Sequence, residues 1–319
     1  MKAILLTLTV LLSFIQNSIS QNYKVGVLFD QFASARWKID SMHLKQSMEA
    51  LDIAADIQVA HSQLEVQKKQ ARTMIADEVD ALIIIAVDGE KMSDIVSEAK
   101  ARDIVVVAYA RPIINSEIDF FIGYDNAEIG RRQAQSVLKN TDGGNIILVN
   151  GPTTDYNAIV FRDNQMEVLQ PYLDAGKVNI VNDIILDSWS EMSVLLKLYD
   201  LKPNLQDVNA IIAATDNCVS ALAEFANNNE LLQKIYVTGQ DPSKETIKRI
   251  EMGVQNMTAF KPIQPMAKKT ANIVQAILSG QATGKFTNLT IQDVSFNAYL
   301  FSPTIIDQDN IDVFKVLIN

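Results

Sequence analysis

The chain has 319 residues and a formal net charge of -10, from 28 Lys and Arg side chains against 38 Asp and Glu. An acidic balance of this size argues against nucleic acid or an anionic membrane surface as a partner. Cys218 is the only cysteine, so an intramolecular disulfide and a cysteine-rich zinc site are both excluded. The length leaves room for two domains, each with its own core.

The first element is a short apolar segment. Lys2 precedes an apolar stretch, residues 3–15, and small residues follow at Ser18 and Ser20. This pattern is typical of a secretory signal peptide cleaved after Ser20, and the alternative is a buried N-terminal helix. Since no cysteine stands near that site for a lipid anchor, we expect residues 1–20 to be removed and the mature protein to lie free in the periplasm. We also expect it to be a monomer.

Downstream, short apolar runs alternate with stretches of helical length. Runs such as ALIIIAV and IVVVAY are apolar at almost every position, which is typical of parallel strands buried on both faces. Helical spacing of apolar residues is clear in Asn126–Lys139 and Pro265–Leu278. The predicted strands are Tyr23–Phe29, Ile57–His61, Ala81–Val87, Ile104–Tyr109, Phe120–Tyr124, Asn145–Val149, Val178–Val181, Ala210–Ala214, Lys234–Thr238 and Met257–Phe260.

Repeated strand-then-helix order predicts an α/β fold with parallel sheets. Ten strands exceed what one core usually accommodates, so we expect two similar doubly wound parallel-sheet domains of about five strands each. The segment YDNAEIG divides them, and the helix Pro265–Leu278 is expected to return to the first domain. The predicted lobes are residues 21–124 plus 262–299, and residues 125–261 plus 300–319.

Polar and aromatic residues stand just beyond several of the apolar runs. In a wound sheet the carboxyl ends of the strands line one crevice, so such residues converge there. Indole faces and charged hydrogen-bonding groups together suit a small, neutral, polyhydroxylated molecule. The candidates are Arg36, Trp37, Arg111, Asp155, Asn157, Trp189, Asp241 and Lys261, with Asp30, Thr215 and Asp216 as further candidates.

Most of the candidates also have a structural alternative. Packing in the core is the alternative for Trp37 and Trp189, and an exposed position in solvent is the alternative for the arginines and the lysine. The aspartates sit where helix N-caps are found, and Asp241 in particular precedes a proline suited to a first helical turn. His43 and His61 are isolated, so we expect no metal site, and no cofactor is expected.

Six segments, in their order along the chain, resemble a known family. They are KVGVLFDQFASARW, AYARPIINSEIDFFIGYDNAEIG, NGPTTDYNAIVFR, DSWSE, TGQDPSKETIKRI and MTAFKPI. Over Tyr23 to Val316 the chain resembles the xylose-binding members of the ribose- and galactose-type sugar-binding proteins of bacterial ABC importers, which are type I periplasmic binding proteins. The resemblance implies two wound domains joined by a hinge of three crossovers, with the sugar in the cleft between them.

The chain departs from the xylose-binding pattern at three positions. Ala110 stands before Arg111 where the pattern has Asp, and Thr215 stands before Asp216 where it has Asn. Tyr156 replaces a smaller amide. One carboxylate and one amide are thus absent, and a buried hydroxyl without its partner costs roughly 1–3 kcal/mol. We therefore expect a sugar other than D-xylose, such as a hexose or a ketose, to bind most tightly.

The resemblance implies a protein without enzymatic activity that closes on a monosaccharide and delivers it to an ABC permease. One alternative keeps the pocket but changes the partner to a membrane histidine kinase that senses the sugar. An alternative from another class is a secreted glycosidase, whose pair of catalytic carboxylates is defined by spacing in the fold and not by a sequence motif.

Overall fold

The computed structural model describes residues 22–32 and 35–318, so the predicted signal peptide lies outside the described residues. Within them the chain forms three sheets with helices packed against them. None of the helices in this described part of the chain is both long and apolar enough to cross a membrane.

The strands and helices alternate along most of the chain. The strands are β1 (Lys24–Phe29), β2 (Ala54–Val59), β3 (Ala81–Ile84), β4 (Val105–Tyr109), β5 (Phe120–Tyr124), β6 (Gly144–Asn150), β7 (Val178–Ile185), β8 (Ala210–Ala213), β9 (Tyr236–Thr238), β10 (Met257–Phe260), β11 (Thr287–Ile291), β12 (Val294–Phe301) and β13 (Thr304–Asp307). The helices are α1 (Ala35–Glu49), α2 (Leu64–Ala76), α3 (Ser93–Lys100), α4 (Asn126–Asn140), α5 (Tyr156–Asp174), α6 (Glu191–Leu201), α7 (Asp216–Ala226), α8 (Asn229–Leu232), α9 (Lys244–Glu251), α10 (Ile263–Leu278) and α11 (Ile311–Ile318).

The first lobe consists of β1–β5, β11, β12, α1–α3 and α10. Its seven-stranded sheet has the order β2-β1-β3-β4-β5-β12-β11, in which the β11–β12 hairpin is antiparallel and the other neighbours are parallel. Strands β3 and β4 are buried almost throughout, which explains their continuous apolar sequences. Helix α10 packs against α1, β4 and β5.

The second lobe consists of β6–β10, β13, α4–α9 and α11. Its main sheet has the order β7-β6-β8-β9 and is parallel throughout. Strands β10 and β13 form an antiparallel pair, and a parallel bridge between Gln240 and Ala259 links this pair to the segment that follows β9.

The chain passes between the lobes at three connections, β5 to α4, β10 to α10 and β12 to β13. The Tyr124 hydroxyl donates a hydrogen bond of 2.6 Å to the carbonyl of Pro262, which links the first two connections. The Asp125 N–H donates to the carbonyl of Phe301 at 2.9 Å, and the Tyr124 and Phe301 rings are 5.4 Å apart. The three connections are therefore held against one another.

The α/β fold class expected from the sequence is confirmed, and all ten predicted strands are present, although β2 begins at Ala54 and β7 continues to Ile185. The two wound sheets expected from the sequence are present, but they have seven and four strands instead of about five each. The first sheet gains β11 and β12, and β10 leaves the second sheet to pair with β13. These three additional strands escaped prediction because polar and partly exposed residues interrupt their apolar positions.

Helices α4 and α5 pack closely because α4 carries a glycine at their contact. A Cβ atom at Gly130 would lie 2.5 Å from the Phe161 carbonyl oxygen and 3.1 Å from the Cβ of Asn164. The first of these neighbours is backbone, which cannot move aside as a side chain can. The two helices thus approach to a distance that only a residue without a side chain allows.

We expect Gly130→Ala to lower the free energy of unfolding by about 2 kcal/mol, the usual cost of forcing extra atoms into a packed contact. The loss should appear even though alanine is intrinsically the better helix former by about 1 kcal/mol. Urea denaturation followed by circular dichroism measures it. Gln135→Ala, at an exposed position of the same helix, is the control and should change stability by about 0.5 kcal/mol or less. Equal stability of both variants would contradict the close packing.

Candidate functional site

Most residues predicted for the site meet between the two lobes. Asp30 follows β1 and Arg111 follows β4, so the first lobe supplies both residues. Asp155 precedes α5 and Asp241 follows β9, so the second lobe supplies these two. The convergence agrees with the rule that strand ends of wound sheets line a common crevice.

One charged group of side chains, the Arg111 cluster, consists of Arg111, Asp30, Asp155 and Trp189. Arg111 Nη1 donates to Asp30 Oδ2 at 2.7 Å and to the Ala86 carbonyl at 3.0 Å. Arg111 Nε lies 2.9 Å from Asp155 Oδ2, and the same oxygen accepts the Trp189 indole N–H at 3.0 Å. The charged side chains of Asp30, Arg111 and Asp155 are buried. Their attraction to one another offsets the free-energy cost of removing them from water.

Asp30 has one oxygen that stays unbonded in this arrangement. Asp30 Oδ1 is buried, and it has no hydrogen-bond partner within residues 22–32 and 35–318. Buried polar atoms in proteins are nearly always bonded. Asp30 therefore offers an acceptor for a donor group from outside the chain.

The second group, the Arg36 cluster, consists of Arg36, Asp40, Asp241 and Lys261. Arg36, in the first turn of α1, donates from Nη1 to Asp241 Oδ1 at 2.6 Å and from Nε to Asp40 Oδ2 at 3.3 Å. Lys261 Nζ lies 3.1 Å from Asp241 Oδ2 and donates to Gln240 Oε1 at 3.0 Å. The Asp241 carboxylate is thus shared between an arginine of the first lobe and a lysine beside a connection between the lobes.

Two tryptophans accompany these charges. The guanidinium carbons of Arg36 and Arg111 lie 5.1 and 5.5 Å from the ring centroid of Trp37, within the range of cation–π attraction. Trp37 also packs in the first-lobe core, so the same side chain contacts both the core and the two arginines. The Trp189 ring lies over Gly151, where a Cβ atom would be 2.1 Å from the ring.

Asn157 forms a separate contact between the lobes. Its Nδ2 donates to the Ala110 carbonyl at 2.9 Å, and its Oδ1 accepts from Asn126 Nδ2 at 2.7 Å. Ala110 has a φ of 61°, in the left-handed region that glycine, asparagine and aspartate adopt more readily than alanine. The surrounding structure must maintain this conformation against local strain.

Asp216 and Thr215 lie outside both charged clusters. Asp216 accepts from Gln255 Nε2 at 2.6 Å and from the Thr258 hydroxyl at 2.7 Å, so both of its oxygens are used inside the second lobe. Burial raises the pKa of Asp216 to about 6. The Thr215 hydroxyl is 3.4 Å from the sulfur of Cys218. The positions of Thr215 and Asp216 after a strand do not indicate that their partners lie inside the second lobe, because those contacts depend on tertiary packing.

The capping alternatives have different outcomes. Asp155 is the N-cap of α5 and accepts the Asn157 N–H at 3.0 Å, so it combines capping with ion pairing. The N-cap of α9 is Ser243, which forms a capping box with Thr246. The alternative in which Asp241 caps that helix is therefore wrong. Asp241 instead has a φ of 62° and directs both oxygens to cations.

Sequence reasoning missed Asp40, Tyr109 and Gln240. Asp40 follows Arg36 by four residues, a spacing that places two side chains on one helix face and is readable from the sequence. Tyr109 ends β4, and its hydroxyl donates to Asp40 Oδ1 at 2.5 Å. No sequence signal indicates that contact, because it depends on how α1 packs against the sheet.

A family model of the periplasmic binding protein domain matches residues 25–282. This chain belongs to the periplasmic binding protein family. It is 33% identical over 313 residues to the D-xylose-binding periplasmic protein of Haemophilus influenzae, covering 98% of this chain and 94% of that protein. It is 34% identical over 314 residues to the D-xylose-binding periplasmic protein of Escherichia coli, covering 97% and 94%.

Solved structures agree with the family at the level of the fold. An ABC transporter solute-binding protein of Clostridium phytofermentans, with bound β-D-glucose, superimposes with a TM-score of 0.82. The match covers 93% of this chain and 96% of that chain at 23% sequence identity. This likeness extends the type I periplasmic binding protein fold to both lobes described here.

Burial and ion pairing oppose each other in the Arg36 cluster. Burial lowers the pKa of Lys261 to about 8, although the nearby Asp241 carboxylate offsets part of the effect. Burial by itself raises the pKa of Asp241, but Arg36 and Lys261 outweigh it and hold that pKa below its usual value. Asp241 is thus an ionised acceptor at neutral pH. In the described ranges no group of three or more His, Cys, Asp or Glu residues is arranged to hold a metal ion.

The stability difference between the wild type and Lys261→Met should depend on pH. The unfolded chain keeps the lysine proton to about pH 10.4, whereas the folded chain releases it near pH 8, at a pKa of about 8. Between these values the unfolded state binds more protons, so the wild type should gain stability relative to the variant as pH rises. Urea denaturation at several pH values measures this, with Lys38→Met, at an exposed position, as the control. A constant difference would contradict the lowered pKa.

Proposed function

We propose that this protein binds a neutral monosaccharide between its lobes and delivers it to an ABC importer. The observation that carries the proposal is the convergence of cations and carboxylates from both lobes around Trp37 and Trp189. The two relatives named as D-xylose-binding periplasmic proteins support it.

The side chains match the chemistry of a sugar ring. Each hydroxyl can both donate and accept a hydrogen bond, and ionised partners form the stronger bonds. Asp30 Oδ1 supplies an acceptor, while the indole faces suit the C–H patches of the ring. The proposed ligand contacts are Asp30, Arg36, Trp37, Arg111, Asp155, Asn157, Trp189, Asp241 and Lys261.

The charge balance favours a neutral ligand over an acidic one. The two clusters contain three cations and four carboxylates, which are Arg36, Arg111, Lys261, Asp30, Asp40, Asp155 and Asp241. A uronate or a sugar phosphate would bring a further negative charge into a buried site that already has no excess of cations. Such a charge would lose its hydration without gaining a free partner.

The electrostatics argue against glycoside hydrolysis. A glycosidase needs a carboxylic acid that stays protonated until it transfers its proton to the leaving group. In Asp241, the cations Arg36 and Lys261 outweigh burial and lower the pKa, which favours the ionised form. Asp40 has its pKa raised by burial, but it is fully buried and bonded to Tyr109 and Arg36. Binding without catalysis is the function that this arrangement supports.

We infer that the lobes close about the three connections, as in other hinged binding proteins. The moving units would be residues 21–124 plus 262–299 and residues 125–261 plus 300–319. The pairs Arg36–Asp241 and Arg111–Asp155 join side chains of opposite lobes. Both pairs, and any sugar bonded to them, would stabilise the closed form.

We also propose that residues 1–20 direct export and that the protein acts in the periplasm, where the names of its relatives place them. The alternative partner is a membrane histidine kinase. Sugar uptake in a strain that lacks the protein separates the two: lost uptake supports the importer, whereas normal uptake with a lost transcriptional response supports the kinase.

Sugar binding is tested by a thermal-shift screen of D-xylose, L-arabinose, D-glucose, D-galactose, D-fructose and myo-inositol. A true ligand at 100 times its dissociation constant should add about 2.7 kcal/mol of stability. Trp189→Ala and Asp241→Ala should each weaken binding by about 100-fold, the effect of losing a central contact, while the variants stay folded. Tyr172→Ala, an exposed aromatic residue in the last turn of α5, is the control. Unaltered binding in both site variants would contradict the proposed site.

Specificity should depend on Ala110. We expect the wild type to prefer a sugar other than D-xylose, and Ala110→Asp, alone or with Thr215→Asn, to shift the preference towards D-xylose. The backbone can accept the change, because aspartate tolerates the φ of 61° at this position better than alanine does. Calorimetric titration with the same sugar panel measures the shift. A wild type that prefers D-xylose, with weaker binding in both variants, would show that other groups satisfy the hydroxyls.

A further inference from the structure

A buried tyrosine and a buried aspartate stand behind Arg36. Tyr109, at the end of β4, and Asp40, on α1, have no exposed surface. The Tyr109 hydroxyl donates to Asp40 Oδ1 at 2.5 Å, and Asp40 Oδ2 accepts from Arg36 Nε at 3.3 Å. Both oxygens of Asp40 are therefore bonded within the first lobe, and because the side chain has no exposed surface it is closed to a ligand.

The same chain of contacts continues into the second lobe. Arg36 turns its Nε edge to Asp40 and its Nη1 to Asp241, 2.6 Å from Oδ1. Since the guanidinium is planar and rigid, a partner that holds one edge also sets the direction of the others. A free arginine side chain samples many rotamers, and ordering it costs conformational entropy. Because Asp40 already orders the Arg36 side chain in the absence of a ligand, ligand binding does not have to supply that entropy.

The burial of Asp40 itself calls for an explanation beyond stability. Replacing a buried ionic pair by apolar residues is often neutral or stabilising, so such pairs are weak contributors to the stability of a fold. Here Asp40 pairs with Arg36, and Arg36 is the side chain that reaches Asp241 in the other lobe. A role in orienting that side chain accounts for a fully buried carboxylate at this position.

We propose that Asp40 and Tyr109 are positioning residues, which hold the Arg36 guanidinium in the orientation that bridges the lobes and contacts the sugar. The sugar-binding part rests on the proposed function. Tyr109 acts through Asp40, because its hydroxyl fixes the plane of the carboxylate. One strand end then aligns two arginines, Arg111 through the backbone that follows β4 and Arg36 through the Tyr109 hydroxyl.

Trp37 reports on Arg36 without any ligand, because the guanidinium carbon lies 5.1 Å from its ring centroid. In a Trp189→Phe background Trp37 is the remaining tryptophan. Adding Tyr109→Phe should shift the emission spectrum of the sugar-free protein. Tyr236→Phe, which removes a hydroxyl bonded within the second lobe, is the matched control and should leave the spectrum unchanged.

With Trp189 intact, calorimetry with D-xylose and D-glucose as probes tests the effect on binding. Tyr109→Phe should weaken the binding of whichever probe binds by about tenfold, as expected for one misaligned charge-assisted contact. Asp40→Asn should weaken it at least as much. Adding Tyr109→Phe to Asp40→Asn should cause little further loss, because the two changes act on one contact. Tyr236→Phe should keep the wild-type affinity even if it lowers thermal stability.

Wild-type Trp37 emission and wild-type affinity in Tyr109→Phe would overturn the proposal, whatever happens to stability. Additive losses in the double variant would overturn the route through Asp40. If Asp40→Asn does not fold, Tyr109→Phe alone decides, since it removes a single oxygen atom. If the wild type binds no sugar of the panel, the proposed function fails, and the emission of the sugar-free variants still decides whether Tyr109 orients Arg36.

Discussion

A charge removed from water must meet an opposite charge, and in this protein each lobe supplies the partner for the other. Arg111 of the first lobe lies 2.9 Å from Asp155 of the second, and Arg36 lies 2.6 Å from Asp241. Breaking a buried pair such as Arg111–Asp155 by removing one partner costs about 3–5 kcal/mol. That is a large part of the roughly 5–15 kcal/mol by which a folded protein is stable. Water can replace the partners of the Arg111–Asp155 pair only if the lobes separate, whereas part of the Asp241 side chain is already exposed. The geometry of the cleft therefore depends on these two pairs.

The same constraint connects the site to the connections between the lobes. Lys261, which shares Asp241 with Arg36, directly precedes Pro262, and the carbonyl of Pro262 accepts the Tyr124 hydroxyl. One ion pair and one peptide bond therefore separate Asp241 from the hydrogen bond that joins two of the connections. A ligand that shares the Asp241 carboxylate would act on the closed arrangement directly, without a long chain of intermediate contacts.

Much of the fold was predictable because buried parallel strands leave a strong pattern. The runs that became β3 and β4 are apolar on both faces, and this requires a sheet covered on both sides. The strands β11, β12 and β13 were not predictable in the same way. Their residues are partly exposed, so their positions come from pairing and not from an apolar pattern of their own. Strand β12 pairs with β5, β11 pairs with β12, and β13 pairs with β10.

The sequence by itself determined the fold class, the positions of ten strands and the set of strand-end residues, because burial selects residue types position by position. The tertiary structure alone decided which of those residues meet. Asp30 belongs to the Arg111 cluster and Asp216 does not, although both follow apolar strands, because Gln255 and Thr258 bond to the two oxygens of Asp216. Tyr109 and Asp40 are neighbours only because α1 packs beside α10 and β2 in the first lobe, which brings Asp40 to the end of β4. Contacts between distant segments depend on packing, which no local pattern records.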